Sequence, residues 1–209
     1  MEENNKKTVV VADGTFPVHS IPLGKLEQAD VIVCCDGSTE NTVNAGFIPD
    51  AIVGDMDSLS NDLAIRFADR LHADNSQETN DLTKAVLWCS QSGYNDIVIV
   101  GATGKREDHT VGNISLLVEY CRYVNVRMVT DTGIFFPFNR SCKIDTYPGQ
   151  QVSVFSINPE TEITSAGLRY PLIRRKLKNW WEATLNEATG NVVELEFEGG
   201  PVIVFLTHR

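Results

Sequence analysis

Paired cysteines are missing from this sequence. Its five cysteines are an odd number, and none of them forms a C-x-x-C pair. Structural zinc sites commonly use C-x-x-C pairs, and a disulfide framework needs an even number of cysteines. The sequence therefore argues against both. We therefore expect a reduced, cytoplasmic protein whose cysteines act as small apolar residues, at Cys34, Cys35, Cys89, Cys121 and Cys142.

Long apolar runs and an excess of basic residues are also missing. The apolar run nearest the start, Val9–Ala12, is too short for a signal peptide or a membrane span. Asp and Glu number 28 against 18 Lys and Arg, which gives a formal net charge of −10. A nucleic-acid or anionic-membrane surface needs clustered Lys and Arg, so we expect neither partner. The acidic balance leaves room for a site where carboxylates bind cations.

The remaining composition is that of a globular protein. The chain has 209 residues, of which 42% are hydrophobic and 22% charged, enough for one large domain or two small ones. The first part alternates continuous Val/Ile runs, typical of strands buried on both faces, with helical patterns. We predict strands at Thr8–Ala12, Val31–Cys35, Ala51–Val53 and Ile97–Val100. We predict helices at Thr39–Asn44, Asp62–Arg70, Asn80–Gln91 and Asp108–Tyr123.

The order of these elements indicates the fold class. Strands that alternate with helices predict a mostly parallel, Rossmann-like sheet with flanking helices. The last helix is the clearest, because Val111, Ile114, Leu117 and Cys121 recur at helical spacing and define an apolar face. His109 and Asn113 then lie on another face of that helix.

The pattern changes from about Val126. Short strands are predicted at Val126–Thr130, Phe135–Phe138, Gln151–Ile157 and Glu162–Ser165. Near the end, Val193–Glu198 alternates apolar and acidic residues, and Gly199-Gly200 separates it from Pro201–Leu206. This pattern predicts a β-hairpin with one solvent-exposed face. We expect an antiparallel β-sandwich or barrel as the second domain, with domains at residues 1–131 and 132–209.

Polar, glycine-containing loops follow four of the predicted parallel strands. In such sheets, ligands bind beyond the carboxyl ends of the strands. One such turn is a weak signal, but an aspartate or a glycine-rich loop follows each strand. The loops are Asp13-Gly14, Asp36-Gly37-Ser38, Gly54-Asp55-Met56-Asp57-Ser58 and Gly101–Arg106.

Asp55 and Asp57 form the sharpest pair. Residues two apart on an extended backbone project to the same side, so both carboxylates can face one cation. Mg²⁺ prefers hard oxygen ligands, often one or two carboxylates together with substrate phosphate. A solvated turn that caps the next helix through Ser58 explains the same residues about equally well.

Two further segments combine charge with a helix start. In Gln77–Lys84, Thr79 or Asn80 can cap a helix, which places Asp81 in the first turn with Lys84 on the same side. By itself this pattern also fits an ordinary surface ion pair. In Gly101–His109, glycines, a helix N-terminus and two basic residues suit an anion. The segment matches neither G-x-x-x-x-G-K-[ST] nor G-x-G-x-x-G.

Taken together, these motifs resemble those of the thiamine pyrophosphokinase family. The resemblance rests on Asp36-Gly37-Ser38, Gly54–Ser58, Gln77–Lys84, and Gly101–His109 followed by Asn113. Gly167–Leu172 and Asn186-Glu187 resemble its substrate-domain motifs. Two departures stand out. Lys105 occupies a position where the family has glycine, and Ala183-Thr184-Leu185 replaces a serine-rich stretch.

The resemblance implies a function. It implies Mg²⁺-dependent transfer of diphosphate from ATP to the hydroxyl of thiamine, in a homodimer with active sites between subunits. The implied domains are an ATP-binding α/β domain and a β-rich domain for thiamine binding and dimerisation. The implied metal ligands are Asp55, Asp57 and Asp81, which act with Lys84 and Arg106 as the catalytic set. The implied ATP and diphosphate residues are Asp36, Gly37, Gln77, Thr79, Asp108, His109 and Asn113.

Thiamine is a cation, and an aromatic wall suits a cation. Candidate thiamine residues are therefore Trp180 and Trp181, together with Thr184 and Asn186. Paired tryptophans in a β-rich domain also commonly belong to a core or an interface.

Two other function classes remain open. The first is a metal-dependent phosphohydrolase, suggested by Asp55-x-Asp57. Such phosphohydrolases require the motif Asp-x-Asp-x-Thr. Here Leu59 stands in place of the threonine, which argues against this class. The second is a non-catalytic nucleotide sensor whose α/β half binds ATP.

Overall fold

The computed structural model describes residues 6–209, which form two compact units. One contains residues 6–116 together with Tyr123–Asp131, and the other contains Leu117–Arg122 together with Thr132–Arg209. Among the helices within the described residues, none is long and apolar enough to cross a membrane.

The first unit is built on six parallel strands. In spatial order they are β6 (Asn125–Val129), β5 (Asp96–Val100), β1 (Thr8–Val11), β2 (Val31–Cys35), β3 (Ala51–Gly54) and β4 (Leu71–Ala73). Every residue of β1, β2 and β3 is buried, which explains their continuous apolar sequences. The predicted mostly parallel sheet is confirmed.

Within residues 6–209, five α-helices are interspersed along the chain with these strands. They are α1 (Ser20–Glu27), α2 (Thr39–Asn44), α3 (Asn61–Arg66), α4 (Asp81–Gln91) and α5 (Glu107–Tyr120). In α4, the Asn80 side chain accepts a hydrogen bond from the Thr83 backbone N–H and caps the helix. Leu82, Ala85 and Cys89 recur at helical spacing and are buried. The predicted helix α4 is confirmed, with Asn80 rather than Thr79 as its cap.

The second unit contains two antiparallel sheets. One has the order β12 (Asn186–Glu187), β9 (Gln151–Ser156), β14 (Val202–Thr207) and β7 (Gly133–Phe138). The other has the order β11 (Arg175–Lys176), β10 (Glu162–Ala166), β13 (Val192–Glu198) and β8 (Cys142–Asp145). Both sheets contribute buried side chains to one apolar core, such as Val154 and Val204 from the first and Ile163 and Leu195 from the second. This is the expected antiparallel sandwich.

The predicted terminal hairpin is wrong. β13 pairs with β10 and β8, whereas β14 pairs with β7 and β9, so the two strands belong to different sheets. Gly199, at φ +99°, turns the chain from one sheet to the other. The burial patterns give the physical reason. β13 alternates and has one wet face, while β14 is a central strand and is largely buried on both faces.

Two smaller expectations also need correction, and helix α1 and strand β4 have no counterpart among the predicted elements. Helix α1 was not predicted, because Pro22 and Gly24 obscure its pattern. The strand predicted at Val126–Thr130 pairs in parallel with β5 and so completes the first sheet. Val111 is 52% exposed, so the apolar face of α5 begins deeper in the helix, at Leu117 and Val118.

The five cysteines are free thiols, as expected. Cys34, Cys35 and Cys89 are buried, and burial raises the pKa of Cys89 to about 12. These three side chains therefore behave as small apolar core residues.

Substitutions in β14 test its two-sided burial. Ile203 and Leu206 point to opposite faces, and both are buried. Ile203→Ala and Leu206→Ala should each lower the free energy of unfolding by about 2–5 kcal/mol in denaturant titrations. Val192→Ala, at a 41% exposed position, is the control and should change it by less than about 0.5 kcal/mol. If either β14 variant behaved like the control, one face of this strand would be wet.

Candidate active site

Three carboxylates meet at the carboxyl ends of β2 and β3. Asp36, Asp55 and Asp57 each place an oxygen so that the three atoms lie within 4.8 Å of one another. Asp36 is buried, Asp55 is half-buried and Asp57 is exposed. Hard oxygen donors that converge in this way suit Mg²⁺. We refer to these three residues as the acidic cluster.

Asp36 is the buried member of the cluster. Its Oδ1 accepts a hydrogen bond from the Gly37 backbone N–H at 2.8 Å, while its Oδ2 is buried without a hydrogen-bond partner among the described residues. Burial raises the pKa of this carboxyl. A Cβ at Gly54 would lie 2.6 Å from Asp36 Cγ, so the carboxylate can occupy its place only because residue 54 is glycine.

The carboxylates of Asp55 and Asp57 come together through a turn, whereas the sequence predicted that they project from an extended backbone. Met56 has φ +69°, so the segment is a left-handed turn rather than an extended strand. The Asp57 backbone N–H donates to Asp55 Oδ1 at 3.2 Å, and the Ser58 hydroxyl donates to Asp57 Oδ1 at 2.9 Å. The bond from the Asp57 backbone lowers the pKa of Asp55, so Asp55 stays ionised.

Asp81 and Lys84 form an ion pair at the start of α4. Lys84 Nζ lies 2.9 Å from Asp81 Oδ1, and the lysine side chain is only 3% exposed. Burial opposes the lysine charge, but the hydrogen bond and charge of Asp81, together with Asp55, raise the pKa of Lys84. Within residues 6–209, Asp81 does not join the acidic cluster, because its carboxylate is directed to Lys84. Its role as a metal ligand stays a prediction.

The start of α5 carries the other predicted nucleotide residues. Arg106 Nε donates to Asp108 Oδ1 at 3.0 Å, and this bond lowers the pKa of Asp108 to about 2. Asn113 Nδ2 donates to the Ala102 carbonyl at 2.9 Å, while its Oδ1 accepts from Asn80. Asn113 therefore ties the glycine-rich loop to the start of α4.

The remaining predicted residues of this site lie around those contacts. Gln77 lies close enough to Asp55 to contribute to the lowered pKa of that carboxyl, and Gly37 adjoins the acidic cluster through Asp36. Thr79 and His109 are exposed in the loop before α4 and in the first turn of α5, respectively. Solvent-facing side chains in these places are open to a ligand.

The second unit has a cavity of about 440 Å³ that includes two of the predicted thiamine residues. Its lining residues are Tyr170, Pro171, Leu172, Ile173, Arg175, Glu182, Ala183, Thr184 and Asn186. Trp180 and Trp181 are not among them. Trp180 packs edge-on against Phe155 with ring centroids 6.0 Å apart, and Trp181 is 74% exposed.

Asn186 is buried in the wall of this cavity and holds the backbone of Tyr170. Its Oδ1 accepts from the Tyr170 N–H at 3.0 Å, and its Nδ2 donates to the Tyr170 carbonyl at 2.7 Å. The Thr184 hydroxyl donates to the Trp181 carbonyl at 2.8 Å. Asn186 thus shapes the pocket through the position of Tyr170, which belongs to the Gly167–Leu172 motif but was not among the candidate thiamine residues.

Sequence reasoning also did not place Asp36 in the metal-binding set or identify a partner for Lys105. The signal for Asp36 was Gly54, whose missing side chain makes room for the carboxylate. Lys105 Nζ lies 2.6 Å from Asp13 Oδ1, on the loop after β1. Nothing local in the sequence indicates this contact, which joins residues 92 positions apart.

Asp36→Asn tests whether the acidic cluster binds a cation. The pKa of Asp36 is higher in the folded protein than in the unfolded chain, so the folded protein binds the carboxyl proton of Asp36 more tightly. Stability therefore falls as pH rises from the unfolded pKa through the folded one. At pH 7 in EDTA, Asp36→Asn should raise the Tm by a few degrees. Adding MgCl₂ should raise the Tm of the wild type and have a much smaller effect on the variant.

The control for this experiment is Asp145→Asn. Asp145 is exposed on β8 of the second unit, so the variant should respond to MgCl₂ as the wild type does. An Asp36→Asn variant with unchanged Tm in EDTA and an undiminished magnesium response would contradict a cation site at Asp36.

Comparison with known proteins identifies the family. A family profile described as "Thiamin pyrophosphokinase, catalytic domain" matches residues 24–130, and one described as "Thiamin pyrophosphokinase, substrate-binding domain" matches residues 133–205. The thiamine pyrophosphokinase of Bacillus subtilis (strain 168) is 29% identical over 178 residues, covering 79% of this chain and 82% of that protein. Thiamine pyrophosphokinase 1 of rice (Oryza sativa subsp. japonica) is 29% identical over 182 residues, covering 70% of this chain and 67% of that protein.

Solved structures share the fold. A thiamin pyrophosphokinase family protein from Enterococcus faecalis superimposes with a TM-score of 0.80 at 20% identity, covering 97% of this chain and 99% of that one. Thiamin pyrophosphokinase from Candida albicans gives a TM-score of 0.79 at 19% identity, covering 97% and 89% of the two chains. The profiles together span most of the sequence, so this chain belongs to the thiamin pyrophosphokinase family.

Proposed function

We propose that this chain transfers a diphosphate group from ATP to the hydroxyl of thiamine, which yields thiamine diphosphate and AMP. The observation that carries the proposal is the acidic cluster at the carboxyl edge of the parallel sheet, in a chain of this family. In the reaction, the thiamine hydroxyl oxygen bonds to the β-phosphorus of ATP. The bond between the β-phosphorus and the oxygen that bridges it to the α-phosphorus breaks, AMP leaves with that oxygen, and the hydroxyl proton passes to solvent.

The acidic cluster fits a magnesium ion. Asp36 Oδ2 is a buried carboxylate oxygen without a hydrogen-bond partner among the described residues, and the carboxylates of Asp55 and Asp57 lie beside it. Asp55 and Asp57, with Asp81 from the start of α4, are the proposed metal ligands. When bound, Mg²⁺ supplies positive charge to phosphate oxygens. Asp36, the buried member of the acidic cluster, is proposed to contribute its charge to the same cation and to line the nucleotide.

Basic residues at the same edge are proposed to act on the phosphates. Lys84 pairs with Asp81 at the start of α4, and Arg106 pairs with Asp108 at the start of α5. Each cation is therefore already positioned at the start of a helix. Phosphoryl transfer depends mostly on positioning and charge neutralisation, which cations supply around the β-phosphorus. Gly37, Gln77, Thr79, Asp108, His109 and Asn113 complete the proposed ATP and diphosphate site.

We propose the second unit as the thiamine site. The cavity beside Thr184 and Asn186 has a volume typical of small-molecule sites. An exposed indole such as that of Trp181 is available to a cationic ring. Trp180 packs against Phe155, which favours a structural role for that residue.

We further propose a cytoplasmic homodimer with active sites between subunits. Several large apolar side chains in residues 170–185 are exposed, as expected for a surface that a second copy covers. They are Tyr170, Ile173, Trp181 and Leu185, at 63%, 77%, 74% and 75% exposure. The free cysteines support the cytoplasmic location.

The alternative functions find less support. Leu59, where an Asp-x-Asp-x-Thr phosphohydrolase has threonine, is buried and offers no hydroxyl. A nucleotide sensor would bind ATP without forming AMP. Release of AMP that depends on thiamine therefore separates the proposed reaction from both.

The direct test is a coupled assay for AMP with purified protein, ATP, thiamine and MgCl₂. AMP and thiamine diphosphate should form together, and only when the protein is given ATP, thiamine and MgCl₂ at the same time. Asp57→Asn should lower kcat by several orders of magnitude, because it removes one cluster charge, while its circular dichroism stays unchanged. Asp145→Asn is the matched control and should retain full activity. Wild-type protein that forms no AMP above background would overturn the proposal.

The dimer is tested by analytical ultracentrifugation. The wild type should sediment as a dimer at micromolar concentration. Trp181→Ala should raise the dimer dissociation constant by about 10–100-fold, since exposed tryptophans commonly dominate an interface. Val18→Ala, at a 79% exposed position in the first unit, should leave it unchanged. A monomeric wild type would contradict the dimer without bearing on the chemistry of the acidic cluster.

A further inference from the structure

Lys105 adopts a backbone conformation that lysine disfavours. It has φ +53°, immediately after Gly104 at φ +77°. Glycine reaches this left-handed region freely, whereas a side chain with a Cβ is strained there. The strain lies in the glycine-rich loop that leads into α5, next to the proposed ATP site. Strained residues that persist in such places commonly serve function rather than stability.

The stability that the Lys105 ion pair contributes does not explain why a residue with a strained backbone is kept at this position. Lys105 Nζ lies 2.6 Å from Asp13 Oδ1, and both side chains are 48% exposed. Pairs this accessible to water stabilise a fold very little. The lysine therefore needs an explanation other than the stability of the fold.

The pair closes a contact between two strand-end loops. The Gly14 N–H donates to the Gly101 carbonyl at 2.6 Å, and the Thr15 N–H donates to the Thr103 carbonyl at 2.8 Å. A Cβ at Gly14 would lie 2.4 Å from both of these carbonyl oxygens, so the loops touch backbone to backbone. The Lys105–Asp13 pair extends this contact from the backbones to the side chains.

Asp13 connects the pair to the acidic cluster. A Cβ at Gly37 would lie 2.8 Å from Asp13 Oδ2, so this carboxylate rests against the turn that carries Asp36. Through Asp13, Lys105 thus reaches the loops after β5, β1 and β2. It also balances the charge of a carboxylate that would otherwise add to the negative field of the cluster, where an anionic nucleotide must bind.

We propose that Lys105 is a positioning residue that sets the affinity for ATP by pairing with Asp13. The pair holds the glycine-rich loop against the β1 and β2 loops and neutralises Asp13. The inference rests on the proposed function, since it takes ATP as the ligand of this edge.

Two substitutions test the proposal. Lys105→Gly removes the ammonium and keeps a residue that adopts the left-handed backbone without strain. Asp13→Asn keeps the lysine and removes its partner. Each should raise the KM for MgATP about 5–10-fold and leave kcat and the KM for thiamine within about 2-fold. The double variant should show no further increase, because both substitutions break one interaction.

Additional measurements separate this role from a structural one and from direct phosphate binding. The Tm of Lys105→Gly should equal or exceed that of the wild type, so a raised KM cannot reflect a damaged fold. The difference in KM should shrink at high salt, since the pair is exposed. Arg122→Gln is the matched control, because it breaks a comparably exposed Arg122–Glu119 pair and should leave both KM values unchanged.

Each outcome has a defined meaning. An unchanged KM for MgATP in active Lys105→Gly protein would overturn the proposal. A raised KM in Lys105→Gly with an unchanged or lowered KM in Asp13→Asn would also overturn it, since the lysine would then bind phosphate directly. Absence of AMP formation by the wild type would instead refute the proposed function, so the two failures are distinguishable.

Discussion

The parallel pairing of four neighbouring strands is the constraint on which the rest of the structure depends. Val11 on β1 pairs with both Cys34 on β2 and Val100 on β5, and Cys35 pairs with Val53 on β3. This register ends all four strands at one edge, so their loops must meet there. A slip of one residue would turn each side chain to the opposite face of the sheet. It would also separate Asp36 from Asp55 and Asp57.

The parallel core was readable from sequence because its signals are local. β2 and α2 occur at the predicted residues, and β1, β3 and β5 each differ by one residue at one end. β6 is shifted by one residue from its predicted range, and the short edge strand β4 was not predicted. Continuous Val/Ile runs and an asparagine cap act within one element and need no partner. The pairing of β13 and β14 was mispredicted because partner choice depends on residues far along the chain. A Gly-Gly sequence permits a turn but does not specify which sheet the chain enters next.

In the candidate site, too, some features follow from local sequence, while others depend on contacts between residues far apart in the chain. The closeness of Asp55 and Asp57 was expected, but the turn at Met56 produces it rather than an extended strand. The place of Asp36 in the cluster depends on the absent side chain of Gly54, which is a packing relation between two strands. Asn186 was singled out as a thiamine residue, whereas its side chain is engaged with the backbone of Tyr170. Contacts of this kind follow from three-dimensional packing, which spacing along a sequence does not encode.

Three cations at the carboxyl edge each lie against a carboxylate. Lys84 pairs with Asp81, Lys105 with Asp13 and Arg106 with Asp108, which leaves the acidic cluster as the uncompensated charge among these groups. An anionic nucleotide that approaches alone meets repulsion there, while one that carries a divalent cation meets attraction. The edge therefore favours a metal–nucleotide complex over either component. This arrangement gives a local meaning to the net charge of −10.

The central position of β14 has a consequence for how the second unit folds. β14 lies between β7 and β9, and its register joins Gly133 to Thr207. The sheet therefore cannot close until the ribosome has made the whole intervening sequence, and β7 and β9 must wait as unpaired edges. Non-local closure of this kind is slow and leaves apolar strands open to association with other chains. The nascent second unit thus keeps apolar strand edges open until its last strand has been made.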